Sequence, residues 1–255
     1  MKEEQAVYRQ IFDTEIFEGA LTLHKYPWHF HDGYTVVIVD SGAMKYVFRD
    51  GTITVSEHQA FIINPFVAHY NGVLDKESCN YKVMFLPVRL FNSPNNKNSV
   101  VHFDKAVNAE MYSALGDLFE KLKFVKEERE YTVIINGIAV LLLANLNHKP
   151  FTAAATDRVE AALQYIRQHL DEKLTIAQLA DACNLSHFHF QRVFKKSVGL
   201  TVNTYIQQCR MELGRELLRK GLSPVFTSLE SGFFDQSHFY KQFKKMYALT
   251  PAHLK

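Results

Sequence analysis

The chain has 255 residues, of which 47% are apolar and 22% charged, with three cysteines and a formal net charge of +2. That length accommodates two domains, each able to bury its own core, and the composition is that of an ordinary soluble protein. Cys79, Cys183 and Cys209 are odd in number and far apart, which argues against a disulfide framework or a cysteine zinc site and suits a reducing cytoplasm; each reads as a small buried apolar residue.

The chain opens without a basic stretch followed by an apolar run, so secretion is not expected. From about residue 14 to 90 the segments EIFEGALTL, YTVVIVD, AMKYVFRD, TITV, AFIIN and YKVMFLPV are rich in Val, Ile, Phe, Tyr and Thr. Ser41-Gly42, Asp50-Gly51, Asn64-Pro65 and Asn71-Gly72 supply turns between them. Many short strands at this spacing predict a small barrel or sandwich, and FNSPNNKNS (91–99) a polar loop.

The texture then changes. Over 106–125, Met111, Leu115, Leu118, Leu122 and Val125 recur at helical spacing. Residues 128–148 predict a second helix, apolar nearly all round, which must be covered on most sides. Its run TVIINGIAVLLLANL (132–146) is too short and too punctuated to span a bilayer, so no membrane partner is expected. Packing within one subunit and a homodimer interface both satisfy that helix. KPFTAAAT (149–156) predicts a linker, and only helical segments follow it.

Those segments contain a repeat. Laid without a gap on 235–251, residues 186–202 place His189, Phe190, Phe194, Lys195, Lys196, Leu200 and Thr201 on His238, Phe239, Phe243, Lys244, Lys245, Leu249 and Thr250. Charge is uneven in the same sense: 1–156 carry a net −3, 157–255 a net +5, and from Ser186 onward 11 Lys and Arg stand against 4 Asp and Glu. A basic half points to a polyanion partner.

Thr175 and Gln178 form a capping-box pattern, and Ile176, Leu179, Ala180 and Cys183 a buried stripe. Asn184-Leu185 predicts a tight turn with Asn184 left-handed, and Ser186 a cap on a second helix. This is the helix-turn-helix pattern. In its second helix Phe190, Val193 and Phe194 face the core, while His187, Phe188, Gln191, Arg192 and Lys195 face outward with no acid among them. A solvent-facing helix would mix Glu with Lys; one entering a major groove excludes acids. In the second copy Asp235 caps, Phe239 and Phe243 are core, and Gln236, Ser237, Tyr240, Lys241 and Lys244 point out. His189 and His238 read as packing residues. Phe190 and Phe239 are 49 residues apart, and the helix predicted over Val202–Lys220 would be about 27 Å long. Such a rod places two recognition helices roughly 34 Å apart, one DNA turn. Lys195, Lys196, Lys244 and Lys245 are then placed for phosphates.

LTIAQLADACNLSHFHFQRVFKKSVGLTVNTYIQQCRMELGRELL and GFFDQSHFYKQFKKMYALTP resemble the tandem helix-turn-helix domain of the AraC/XylS family of bacterial transcription regulators. The resemblance implies that His187, Phe188, Gln191 and Arg192 face bases in the first unit, and Gln236, Ser237, His238, Tyr240 and Lys241 in the second. It implies double-stranded promoter DNA as partner, with RNA polymerase if the protein activates. The family usually has Gly where Ala248 stands, apolar residues at Pro224 and Thr227, and Ala at Ser228. These departures weaken the second unit, so the first is expected to dominate specificity.

KYPWHFHDGYTVVIVDSG and INPFVAH resemble the small cupin-type barrel that precedes this domain in many family members, where it binds an effector and adjoining helices form a dimer. Trp28, His29, His31, Tyr46, Asn64, His69, Tyr70 and Tyr81 are the pocket candidates. His29, His31 and His69 could also supply three metal nitrogens, but Thr35 stands where metal-dependent cupin enzymes carry Glu, so no metal or other cofactor is expected. His29 and His69 bracing the barrel mouth is a third reading. The expected architecture is α+β: a cupin-like barrel (1–103), a helical dimerisation segment (104–148), the linker (149–156) and an all-α tandem helix-turn-helix domain (157–255). The expected protein is a cytoplasmic, homodimeric, effector-responsive regulator and not an enzyme. The alternatives are a metal-dependent cupin enzyme fused to a DNA-binding module and a constitutive regulator without a ligand.

Overall fold

A computed structural model describes residues 5–22, 24–74, 78–91, 100–151 and 158–254. The chain forms two compact units, the first built mainly from residues up to 151 and the second mainly from residues 158 onward.

The first unit begins with nine strands: β1 (Gln5–Ile11), β2 (Thr14–Leu21), β3 (Lys25–His29), β4 (Tyr34–Ser41), β5 (Ala43–Phe48), β6 (Gly51–Ser56), β7 (Gln59–Ile63), β8 (His69–Val73) and β9 (Cys79–Leu86). Short strands β10 (Val100–Phe103) and β11 (Val107–Asn108) precede helices α1 (Met111–Leu122) and α2 (Glu128–Asn145), and β12 (His148–Phe151) closes the unit. One sheet runs β1-β2-β9-β4-β7-β11 and a second β3-β8-β5-β6. β3 belongs to this unit through its place beside β8.

Register assigns each face of the larger sheet a task. Because side chains alternate along a strand, Ile16, Tyr34, Val36, Ile38, Ile62, Met84 and Leu86 share one face, and all pack in a single core with Met111, Leu115, Phe119 and Leu122 of α1 and Ile135, Ile138 and Leu142 of α2. The other face carries Thr35, Val37, Phe61, Ile63, Val83 and Phe85 toward the barrel interior. Both faces of β4 are therefore covered, which is why YTVVIVD reads as an unbroken apolar run rather than an alternation.

Several expectations are corrected. Asn71-Gly72 lies inside β8 and is not a turn; a Cβ on Gly72 would come within 3.1 Å of the His24 carbonyl oxygen, so the glycine marks a close backbone approach. Residues 107–108, expected as helix, pair with β7. The helix expected to reach residue 148 stops at Asn145, and Lys149–Phe151 of the expected linker pair with β10, which ties the exit of α2 back to the barrel unit. Residues 92–99 of the polar loop and 152–156 of the linker lie outside the described residues. The covered helix is covered on one side only: Val133 and Val140 of α2 are exposed, as is Phe124 before it. Among the described residues no helix is long and apolar enough to cross a membrane.

The second unit is helical: α3 (Glu160–Gln168), α4 (Ile176–Ala182), α5 (His187–Val198), α6 (Val202–Arg219), α7 (Pro224–Glu230) and α8 (Gln236–Tyr247). The caps explain where the chain turns. Thr175 and Gln178 make the reciprocal capping box, and Asn184 adopts φ +52°. Ser186 stands at the N-cap of α5 but its side chain makes no capping hydrogen bond. Asp235 accepts the His238 amide at 2.7 Å to start α8. In α6, Gly214 lets the Phe239 ring approach; a Cβ there would lie 2.6 Å from it. Arg210 of the same helix donates to the carbonyls of Leu170 and Glu172, fixing the segment between α3 and α4. Cys79 and Cys209 are buried, and burial pushes both thiols up to about 12, in keeping with inert core residues; Cys183 is half-buried.

Candidate nucleic-acid interface and effector pocket

Helices α5 and α8 present matching surfaces. Phe190 and Phe194 of α5, and Phe239 and Phe243 of α8, are fully buried. Opposite them on α5, His187, Phe188, Gln191, Arg192, Lys195 and Lys196 are exposed, with Phe188 at 89%. On α8, Gln236, Ser237, His238, Lys241, Lys244 and Lys245 are exposed and Tyr240 is half-buried. Neither helix contains an acid, and the Asp235 carboxylate is occupied as a cap. Long donors on an anion-free helix face suit base edges and phosphates.

The two histidines expected to pack differ from that expectation. His189 is exposed. His238 is exposed too, with its ring edge-on to Phe233 at 5.5 Å and within 3.3 Å of the Gln242 amide. Each histidine immediately precedes a buried phenylalanine in the first turn of its helix, and its own ring stays outside the core.

In the barrel unit the candidates divide. His29, His31 and His69 come together: one ring nitrogen from each lies within 4.8 Å of the others. Their surroundings are aromatic. The His31 ring is 4.7 Å from Phe85 and 5.6 Å from His69, and His69 lies 6.1 Å from Tyr46 and 5.9 Å from Phe48. Nδ1 of His29 faces the Pro27 carbonyl at 2.7 Å, and Nδ1 of His69 faces the Val67 carbonyl at 2.8 Å. A carbonyl only accepts, so each Nδ1 carries a proton, and Nε2 is the ring nitrogen turned away from that bond. Burial holds the His29 pKa down at about 4 against the opposing pull of its carbonyl bond, so the ring is neutral at pH 7. Tyr81 shares the interior face of β9 with Val83 and Phe85 and packs on Phe17 at 5.2 Å.

Three candidates fall elsewhere. Asn64 is a bracket: its amide donates to the Phe103 carbonyl at 2.7 Å and its carbonyl accepts the Phe103 amide at 2.8 Å. Tyr70 follows His69 in β8, so it projects from the opposite face, where it is exposed. Trp28 precedes His29 in β3, leaves from the other face by the same rule, and is half-buried. Two further residues join the interior, Thr35, noted in the sequence only as a replacement for a metal ligand, and Glu15, which the sequence did not single out. Thr35 is buried, and among the described residues its Oγ1 has no hydrogen-bond partner. Glu15, also buried, stands in register with Phe85 of β9, as Thr35 does, so Glu15, Phe85 and Thr35 form one row of the interior face. Only the pairing of β9 with β2 and β4 could have revealed that row.

Comparison with known proteins finds matches over both parts of the chain. Residues 12–143 match the AraC-like ligand binding domain, and residues 179–255 match a helix-turn-helix domain. YbfI of Bacillus subtilis, an uncharacterized HTH-type transcriptional regulator, is 23% identical over 231 residues, which cover 87% of this chain and 83% of YbfI. The HTH-type transcriptional activator RhaS of Pectobacterium carotovorum is 23% identical over 248 residues, covering 90% of this chain and 88% of RhaS. Among solved structures, ToxT from Vibrio cholerae superposes with a TM-score of 0.60 at 14% identity, over 96% of each chain. ToxT has also been solved with an unsaturated fatty acid bound, at a TM-score of 0.58 and 13% identity over 98% of this chain and 95% of ToxT, and with (E)-4-(8-methylnaphthalen-1-yl)but-3-enoic acid bound, at 0.57 and 14% over 98% and 96%. At these identities the likeness to ToxT is one of fold.

Proposed function

This chain belongs to the AraC family of DNA-binding transcription regulators, and from that premise we propose that it is a homodimer in which α5 and α8 of each chain enter successive major grooves and the barrel interior takes a small-molecule effector. The observation that carries the DNA reading is the pair of equivalent, exposed, acid-free faces on α5 and α8, joined by the 18-residue α6. Gln191 and Arg192 read bases in the first groove, and Gln236 and Lys241 in the second. Lys195, Lys196, Lys244 and Lys245 supply sequence-independent affinity through phosphates. RNA polymerase is a further partner if the bound protein activates, and the cytoplasm is where such a regulator meets its promoters.

The dimer reading rests on α2, whose Val133, Val140 and Leu143 stay exposed beside Phe124 in the single chain; a second copy would cover them. The effector reading rests on the interior row of Phe85, Tyr46, Phe48 and the histidines, an apolar lining with few polar groups. Both ligands solved with ToxT are carboxylic acids with apolar bodies, which makes that class the first to consider here. In this reading the barrel acts as a sensor.

Selection from a random-sequence duplex pool tests the DNA reading with the purified full chain at fixed salt. The expected consensus has two conserved blocks one helical turn, roughly 10–11 bp, apart on one face of the duplex. Enrichment of a single uninterrupted block, or none, would overturn the two-groove arrangement.

A further inference from the structure

We propose that His29, His31 and His69 together hold a divalent first-row transition-metal ion inside the barrel. The assignment goes beyond the regulator reading and stands on the barrel unit alone.

Four observations converge. The first is proximity from separate parts of the chain: His29 and His31 flank the end of β3, His69 opens β8, and one nitrogen of each falls within 4.8 Å of the others. A tetrahedral ion about 2.0–2.1 Å from each nitrogen needs those nitrogens roughly 3.4 Å apart. Closing the difference takes a small turn of His31, the ring that is only half-buried.

The second is tautomer control. His29 and His69 use the same local device, an Nδ1–H donated to the carbonyl two residues back, of Pro27 and of Val67. Metal-binding imidazoles characteristically donate the far ring N–H to such an acceptor, which fixes the ring and directs the Nε2 lone pair to the ion. With both Nδ1 atoms engaged by carbonyls, Nε2 is the nitrogen that each of these two rings can offer to the cluster.

The third is Thr35. Its hydroxyl is buried and, among the described residues, without a hydrogen-bond partner. It stands in register with Phe85, whose ring packs 4.7 Å from the His31 ring. An orphaned buried hydroxyl on that row is costly, and a solvent or effector oxygen in the ion's fourth position is the kind of partner it lacks.

The fourth is donor chemistry. Three imidazoles with no thiolate in the set favour zinc, nickel, cobalt or iron(II) over calcium or magnesium, which require oxygen ligands. A carboxylate ligand is not required: three histidines with one open position form a complete site for zinc.

The test uses the full chain, stripped with a chelator, dialysed against zinc at micromolar concentration and washed. We expect one zinc per chain by elemental analysis, reduced at least tenfold in His31→Ala and unchanged in His58→Ala, whose exposed ring lies outside the cluster. X-ray absorption at the zinc edge of the unaltered protein should show imidazole nitrogens at about 2.0–2.1 Å, which keeps the proposal testable even if His31→Ala fails to fold. Zinc absent from the washed wild-type protein overturns the proposal. So does zinc retained equally by His31→Ala, and so does sulfur in the first coordination sphere. DNA selection on the same stripped and loaded samples reports separately on the regulator reading, since it does not depend on metal content.

Discussion

In the first helix-turn-helix unit Gly199 ends the recognition helix at φ +89°; in the second, Ala248 does the same at φ +59°. The left-handed region costs a residue with a Cβ about 1–2 kcal/mol more than glycine. The lead-in helices differ in the same direction. α4 starts on a reciprocal capping box and buries Leu179 and Ala180. α7 starts on the Ser223 hydroxyl alone, with Pro224 at its first position, and buries Thr227 and Ser228. Ser228 satisfies its hydroxyl on the Val225 carbonyl at 2.7 Å, but among the described residues Thr227 Oγ1 has no partner. The outward faces of α5 and α8 are alike while the scaffolds beneath them are not. A DNA-facing surface and its support can therefore vary separately, and the second unit is the one that opens more easily.

That difference should appear most strongly in binding. With a duplex selected by the protein, Gln191→Ala combined with Arg192→Ala is expected to weaken affinity about a hundredfold, since each well-placed base contact is worth about 1–3 kcal/mol. Gln236→Ala combined with Lys241→Ala should cost about tenfold, because part of the contact energy of α8 is spent on holding its unit closed. Fluorescence anisotropy at one fixed salt concentration measures both. The reverse order would break the comparison: the weaker scaffold would then carry the stronger contacts.

The recognition surfaces were legible in the sequence because helices are local. Period, caps and the left-handed Asn184 all lie within a few residues of one another, and the structure places them as the pattern requires. The short strands were not legible. β3, β8 and β10–β12 have no period of their own over two to five residues, and their pairing is decided by partners up to about fifty residues away. The same limit governs the barrel site. The histidine spacing was visible, but which face Tyr70 takes, that Asn64 serves Phe103, and that Glu15 shares a row with Thr35 all depend on register.

Thr227 offers a way to sharpen the contrast. Thr227→Val keeps the branched shape and replaces the orphaned hydroxyl with a methyl group, removing a desolvation cost of about 1–3 kcal/mol. Amide hydrogen exchange along α7 and α8 should slow by about tenfold or more, with exchange along α4 and α5 unchanged. Faster exchange in α7 would show that the hydroxyl has a partner in solution and that the second unit is not weakened there.

The smallest effect, and the one that isolates backbone conformation from packing, comes from exchanging the two helix ends. Ala248→Gly removes a Cβ from a residue at φ +59°, so the second unit should gain about 1 kcal/mol, less the entropy the glycine adds to the unfolded chain. Gly199→Ala places a Cβ at φ +89° and should cost the first unit a similar amount. Exchange rates in α8 and α5 would then shift about fivefold in opposite directions, slower in the first variant and faster in the second. Shifts of the same sign would mean that the neighbours of Ala248, and not its dihedral angle, set the difference between the two units.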